Sequence, residues 1–191
     1  MRTAFKEWAV IVDALAGGAQ IIILRKGGIR EKRGIFKPEH DEFFLFPTLF
    51  HQQRDSVLPS AQNRYDQILP LYQDKTTVRI DSFARVAAVR QLAELSQAQR
   101  LRGLHVWRDE IVAQRFDWGR EKSIYAMAVR VFRLPKPLLL PLSTIYAGCK
   151  SWVELEIKPD TAGSIPVLDD ASFQQQLETF HLALDPAGSP L

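Results

Sequence analysis

The sequence predicts an α+β fold built on a mostly antiparallel, barrel-like sheet with flanking helices. Three observations indicate this fold class: segments with strand character outnumber helical ones, the two kinds are interspersed irregularly, and each apolar run is short. With 191 residues, of which 46% are hydrophobic and 25% charged, the chain can enclose a core. We expect one globular domain over residues 1–183 and a frayed tail over 184–191.

The first helix and the first strand are expected on either side of a glycine pair. Apolar and aromatic residues recur at helical spacing over residues 3–16, and the pattern stops at Gly17, which predicts an amphipathic helix that ends there. The unbroken apolar run over residues 21–24 predicts a strand within 19–25 that is buried on both faces. A second aromatic strand follows, joined to the first as a long-looped hairpin or through an excursion.

Later segments supply the other strands and three helical regions. Alternating or apolar runs predict strands at 41–46, 76–82, 122–133 and 151–157, all in one sheet with the first. Helices are expected near 63–69, within 92–116 with a break near Gly103, and over 170–182, while the proline-rich segment 134–141 predicts an edge.

Positive charge is concentrated in residues 25–37, which we call the basic segment. Net charge is only +3, but this segment holds six cations against Glu31, whereas the chain from Ser151 onward carries a local charge of −6. The glycines at 27, 28 and 34 permit positive φ, so consecutive N–H groups could form an anion-binding nest. This basic glycine-rich loop is predicted to contact a nucleic-acid backbone through Arg25, Lys26, Arg30, Lys32 and Arg33.

Cysteine use and hydropathy indicate a cytoplasmic protein. Cys149 is the only cysteine, so an intramolecular disulfide is excluded and a reducing compartment is expected. No run approaches the ~18 apolar residues of a membrane span, which predicts no membrane partner. Charges at Glu7 and Asp13 interrupt the N-terminal apolar stretch, which argues against an export signal.

Four separated blocks of the sequence resemble one protein family. They read, in order, KEWAVIVDALAGGAQIIILRKGGI, FFLFPTLFHQ, LHVWRDEIVAQRFDW and YAGCKSWVEL, and they resemble the prokaryotic family known as domain of unknown function 1802. The resemblance spans roughly residues 4–157 and leaves out the acidic stretch after Glu156. It implies an uncharacterised function with a suggested link to restriction–modification systems, and it carries over no catalytic residue.

The segment GGAQIIILR resembles the glycine-led strand of PUA-like and ASCH-like barrels, which bind RNA or modified bases. Members with hydrolytic activity carry a lysine and a glutamate in that strand, where this sequence has Gln20 and Ile23. The resemblance therefore implies a barrel-like sheet and transfers no hydrolytic residue.

Three further groups of residues have the types that catalysis or metal binding requires. Glu156 and Lys158 have the Glu-x-Lys spacing of restriction-type nucleases, in which a strand places both on one face, but the upstream Pro-Asp partner is missing. Cys149 is either a nucleophile, with Lys150 adjacent and His105 near in space, or a small packed hydrophobe.

Histidine and carboxylate residues bounding the second strand are the best metal candidates by type. They are His40, Asp41, Glu42 and His51. Their spacing fits no common zinc motif and no second cysteine is available, so no metal or cofactor is predicted.

Among the four tryptophans, Trp118 in RFDWGR is the candidate for base stacking, because arginines flank it. The other three lie beside apolar residues and are expected in the core.

Three classes of function remain open at this point. The first is a module that binds DNA or RNA, linked to restriction or defence. The second is a hydrolase or nuclease whose site is unassigned. The third is an adaptor that docks an acidic protein partner through the basic segment.

Overall fold

A curled sheet carries most of the strands of the computed structural model, which describes residues 1–26, 29–32, 35–38, 40–49, 54–73, 76–148 and 150–185. The strands are β1 Thr3–Trp8, β2 Ile22–Arg25, β3 Ile29–Lys32, β4 Ile35–Pro38, β5 Glu42–Thr48, β6 Thr77–Leu92, β7 Ile124–Pro141, β8 Trp152–Glu154 and β9 Ile165–Pro166. The α-helices are α1 Ala9–Ala16, α2 Pro59–Ile68, α3 Leu95–Gln99, α4 Asp109–Asp117 and α5 Asp170–Leu184, and short 3-10 helices cover Arg54–Ser56, Leu69–Tyr72 and Thr144–Tyr146.

The strand order of the sheet is β2-β7-β6-β5-β1-β8, with β9 beside β7. Every pair is antiparallel except β1 and β5, which run parallel. The predicted α+β class with a mostly antiparallel sheet is therefore confirmed, and the five predicted strands lie in this one sheet. The predicted helices near 63–69, within 92–116 and over 170–182 are also present as α2, α3 with α4, and α5.

The prediction of a helix over residues 3–16 is wrong for its first half. Residues 3–8 form β1, which lies between β5 and β8, and only residues 9–16 are helical. The helical spacing of Phe5 and Trp8 is coincidental. Phe5 and Glu7 are two residues apart in a strand, so both point to its same side, and both are buried. Hydrogen-bonded pairing of β1 with β5 and β8 outweighed the helical spacing of its own residues.

The proline-rich segment 134–141, predicted as an edge, continues β7 beyond the strand predicted over 122–133. Residues Leu138–Pro141 pair with Thr77–Ile80, beyond an irregularity in which the register with β6 shifts between Ile80 and Ser82. Pro135 and Pro137 fall within this irregularity, where a missing N–H breaks no ladder hydrogen bond.

The strand β2 and the aromatic strand β5 do not form a hairpin with each other, because β2 pairs with β7 and β5 pairs with β1 and β6. The excursion between them contains a hairpin of its own. Strands β3 and β4 pair antiparallel as a separate two-stranded sheet, so the basic segment was wrongly predicted to be a loop.

Two hydrophobic clusters cover the two faces of the main sheet. On β5, Phe43 and Leu45 belong to the first cluster, and the alternate residues Phe44 and Phe46 belong to the second. Helices α1, α4 and α5 contribute their buried residues to the first cluster, which is the larger. In the described ranges, no helix has both the length and the apolar character that a bilayer crossing requires.

Candidate nucleic-acid interface

Lys26 ties the base of the basic hairpin to the loop that follows α4. Its Nζ donates to the carbonyl oxygens of Phe116 (2.9 Å) and Ser123 (2.8 Å) and also to that of Glu121. We call residues 116–123 the tryptophan loop. Burial and the nearby charge of Lys122 lower the pKa of Lys26. Lys26, predicted as a phosphate contact, thus acts first as an anchor between two surface segments.

Loss of this anchor is expected to lower stability. Lys26→Met keeps the aliphatic stem but removes the charged donor, so the free energy of unfolding should fall by about 1.5–3 kcal/mol. Urea denaturation measures this, with Lys136→Met on the exposed part of β7 as the matched control. An unfolding midpoint equal to that of the parent would show that Lys26 does not hold the loop.

The tryptophan loop presents its tryptophan to solvent. Trp118 is 74% exposed, whereas Trp107 is buried and Trp8 is half-buried. Gly119 has φ of 81°, a left-handed conformation that favours glycine and ends the extension of the chain after Trp118. Arg120 and Lys122 are exposed on the same loop, and Lys122 pairs with Asp117 at 2.9 Å. A large apolar ring therefore lies exposed on a loop that carries two cations and two carboxylates, Asp117 and Glu121.

Arg25, the residue before Lys26, is held by contacts of its own. Its Nη2 donates to Ser151 Oγ (2.7 Å), its Nη1 lies 3.6 Å from Glu7 Oε2, and its guanidinium covers the Phe5 ring at 4.8 Å. Arg25 is the last residue of β2 and Lys26 the first after it, and their side chains contact different parts of the chain. These contacts fix the guanidinium before any ligand arrives.

The hairpin register brings like charges together. Arg30 lies opposite Lys37, and Lys32 lies two residues from Arg30 on the same strand, so all three positions share one face of the hairpin. Like charges directly opposite each other destabilise an antiparallel pair. Arg33 and the three glycines of the proposed anion nest lie outside the described residues.

A cluster of ionic and aromatic side chains packs around Arg25 and the end of β2. The carboxylate of Glu7 is fully buried, and its Oε1 accepts from the Trp8 N–H at 2.8 Å. Arg115 lies between the rings of Trp8 (4.7 Å) and Trp107 (5.0 Å) and donates to the Leu24 carbonyl. Burial lowers the pKa of Arg115, with Glu7 opposing and Arg25 adding to the effect, and the group stays charged.

Comparison with known proteins assigns the sequence to a family. The model of the family described as domain of unknown function (DUF1802) matches residues 4–179, nearly the whole chain. The chain belongs to this family. The match continues beyond residue 157, so the expectation that the acidic stretch after Glu156 lies outside the family is wrong. No curated protein matches this DUF1802 sequence.

Solved structures give a looser likeness. The crystal structure of ASCH from Zymomonas mobilis is 12% identical, with 93% of each chain covered and a TM-score of 0.42. Two point mutants of that protein are 12% and 14% identical, cover 93% of this chain and 94% and 96% of their own, and have TM-scores of 0.44 and 0.43. They are proteins of the ASCH type that the GGAQIIILR segment resembles.

The residues at the ASCH-like positions have structural roles in this DUF1802 domain. Gln20 is buried, donates through Nε2 to the Ile22 carbonyl (2.7 Å) and accepts at Oε1 from the Val106 N–H (3.0 Å). Ile23 is fully buried in the core. Both side chains therefore stabilise β2 and the segment that leads into it.

The Glu-x-Lys triplet does not lie on a strand. Strand β8 ends at Glu154, shorter than the predicted 151–157, and Glu156 and Lys158 are exposed in the bend that follows. The Glu156 N–H donates to Tyr146 Oη at 3.1 Å. The strand geometry that would align a carboxylate and a lysine for catalysis is thus absent at this triplet.

The remaining candidates are dispersed or lie outside the described residues. Cys149 and His51 are outside, while His105 is buried and its pKa is lowered by burial to about 4. His40 packs edge-on against Trp152 at 5.0 Å, and Glu42 pairs with Arg85. Among the residues that the structure describes, no three of His, Cys, Asp and Glu are grouped to hold a metal ion. Sequence reasoning missed the Glu7 cluster, because residues 3–16 were expected to form a helix.

Proposed function

We propose that this DUF1802 domain binds single-stranded nucleic acid, with the basic hairpin on the backbone phosphates and Trp118 stacked on a base. The observation that carries the proposal is the attachment of the exposed Trp118 loop to the hairpin base by Lys26. A cationic surface next to an exposed aromatic ring is the combination that single-strand binding proteins use.

The hairpin supplies the electrostatic part of the proposed interface. Its register places positions 30, 32 and 37, all basic in the sequence, on one face of the hairpin. Phosphates repeat along a strand and match a row of cations better than isolated carboxylates do. This favours nucleic acid over the acidic protein partner considered from the sequence.

Trp118 supplies the reason to prefer single strands. A base can stack on a side chain only when its face is not covered by its neighbours, as in a single strand, a loop or an end. The ring is 74% exposed, so stacking would bury apolar surface that the fold leaves in water. A place in a restriction or defence system, the cytoplasmic location and the choice of DNA or RNA stay predictions.

The proposal is tested by removing the ring. Trp118→Ala should weaken binding of a fluorescein-labelled twelve-nucleotide oligo(U) by about 1–3 kcal/mol, or roughly 5- to 150-fold, measured by anisotropy at fixed salt. Trp118→Phe should retain most of the affinity. Because the ring is exposed, the melting temperature should stay that of the parent.

A matched control removes an equally exposed apolar side chain elsewhere. Leu182 on α5 is 67% exposed, and Leu182→Ala should leave oligonucleotide binding unchanged. If Trp118→Ala binds oligo(U) as tightly as the parent does, Trp118 is not part of the interface and the proposal fails.

A further inference from the structure

A cleft of about 910 Å³ opens where β1, β2 and β5 end and β6 begins. Arg25 lines the cleft, and the next residue, Lys26, bonds to the tryptophan loop. The hairpin begins three residues after Lys26. The cleft is therefore next to the proposed interface, and the exposed tryptophan does not line it.

The polar end of the cleft is a guanidinium held in place. The Arg25 side chain is 24% exposed, and it is fixed by Ser151, Glu7 and the Phe5 ring. Lys6 and Lys150 also line this end, and the Lys6 Nζ donates to the carbonyls of Tyr146 (2.5 Å) and Gly148 (2.9 Å). A preorganised arginine beside a lysine is suited to a phosphate group.

The charges at this end do not cancel. Among the described residues that line it, Lys6, Arg25 and Lys150 are accompanied by one carboxylate, Glu7, and Arg115 adds a further cation behind the Trp8 ring. Arg79, on another wall, already pairs with Asp81 at 3.5 Å. An excess of positive charge facing a concave surface of low polarity favours an anionic ligand.

The opposite wall is apolar and open. Leu71 is 72% exposed, Leu139 64% and Leu142 41%, and all three line the cleft. Burial raises the pKa of Tyr72, which lines the same wall, to about 12, so its phenol stays protonated at neutral pH. A planar, largely apolar group with polar edges would cover these leucines and find a hydrogen-bond donor.

We infer that this cleft holds one phosphorylated nucleoside, with its phosphate at Arg25 and Lys150 and its base against Leu71, Leu139 and Leu142. This inference extends the proposed function and rests on it, because the nucleotide is taken to come from the bound nucleic acid. The phosphorylated nucleoside is an unstacked residue of the bound strand, or its free counterpart with the same chemistry. The cleft thus gives the bound nucleic-acid strand a second contact, separate from that of Trp118.

Isothermal titration with uridine 5′-monophosphate, uridine and inorganic phosphate tests the cleft directly. The nucleotide should bind saturably and more tightly than either uridine or phosphate alone. Lys150→Gln, which removes a charged donor beside the phosphate, and Leu142→Asp, which puts a hydrated carboxylate where the base should pack, should each weaken it by about tenfold. Both side chains are exposed, so the fold should tolerate the changes, and Lys136→Gln outside the cleft should have no effect.

A second arm separates the two sources. If oligo(U) binds and the free nucleotide does not, the occupant belongs to a strand, and Leu142→Asp must then weaken oligo(U) by about tenfold. The cleft inference is overturned if Leu142→Asp and Lys150→Gln leave both probes unaffected, or if neither probe binds. Trp118→Ala should not alter mononucleotide binding. If Trp118→Ala leaves oligo(U) binding unchanged while the cleft variants weaken mononucleotide binding, the proposed function fails and the cleft inference stands.

Discussion

Replacing Glu7 with alanine is expected to lower the free energy of unfolding by about 3–5 kcal/mol. The carboxylate is fully buried 3.6 Å from the Arg25 guanidinium, and its charge also stabilises the half-buried Arg115. Removing it leaves two buried or half-buried cations without their counter-charge, which is the costly way to break a buried ionic cluster. Urea denaturation followed by tryptophan fluorescence measures the change.

The conservative variant Glu7→Gln separates shape from charge. It keeps an acceptor for the Trp8 N–H but loses the negative charge, so its loss of stability should be smaller than that of alanine. Glu178→Ala on the exposed face of α5 is the matched control and should be neutral. Glu7→Ala unfolding within about 1 kcal/mol of the parent would contradict the role given to the cluster.

Neutralising the hairpin is expected to have the largest effect on binding. Four cations of the hairpin, Arg30, Lys32, Arg33 and Lys37, would neutralise about four phosphates, which predicts a slope of log K against log salt near −2.8 on a single strand. Substituting serine for Arg30, Lys32 and Arg33 together should flatten the slope to about −0.7. Affinity at 0.05 M salt should then fall by roughly a few hundredfold.

The melting temperature should barely change in this variant, because β3 and β4 pair only with each other in the described structure. Lys136→Ser with Lys158→Ser, both exposed outside the hairpin, is the control and should keep the parent slope. A triple variant that binds oligo(U) with an unaltered salt slope would exclude the hairpin as the phosphate-binding element.

The sequence predicts correctly those helices and strands whose residue pattern favours the same structure as their tertiary contacts. The buried run of β2, the helix α5 and the break near Gly103 were predictable because local propensity and tertiary packing favour the same structure there. The residues of β1 were not predictable in the same way. Their spacing fits a helix, and only the neighbouring strands β5 and β8, distant in sequence, make them a strand.

The candidate interface was predictable in composition but not in arrangement. The basic residues and Trp118 stand out in the sequence, and their chemistry indicates a nucleic-acid partner. That Lys26 is used to join the hairpin to the Trp118 loop depends on carbonyls about 90 residues away along the chain. Likewise, Arg25 is fixed by Glu7 and Ser151, and no local pattern connects these residues.

Photocrosslinking of 4-thiouridine-substituted oligo(U), followed by mass spectrometry of the crosslinked peptides, tests the central claim most directly. We expect crosslinks at Trp118 and within residues 29–38 of the parent protein, and their joint loss in the hairpin triple variant. Crosslinks confined to the α5 face, or retained in full by the triple variant, would contradict the claim that the hairpin and the tryptophan loop form one binding surface.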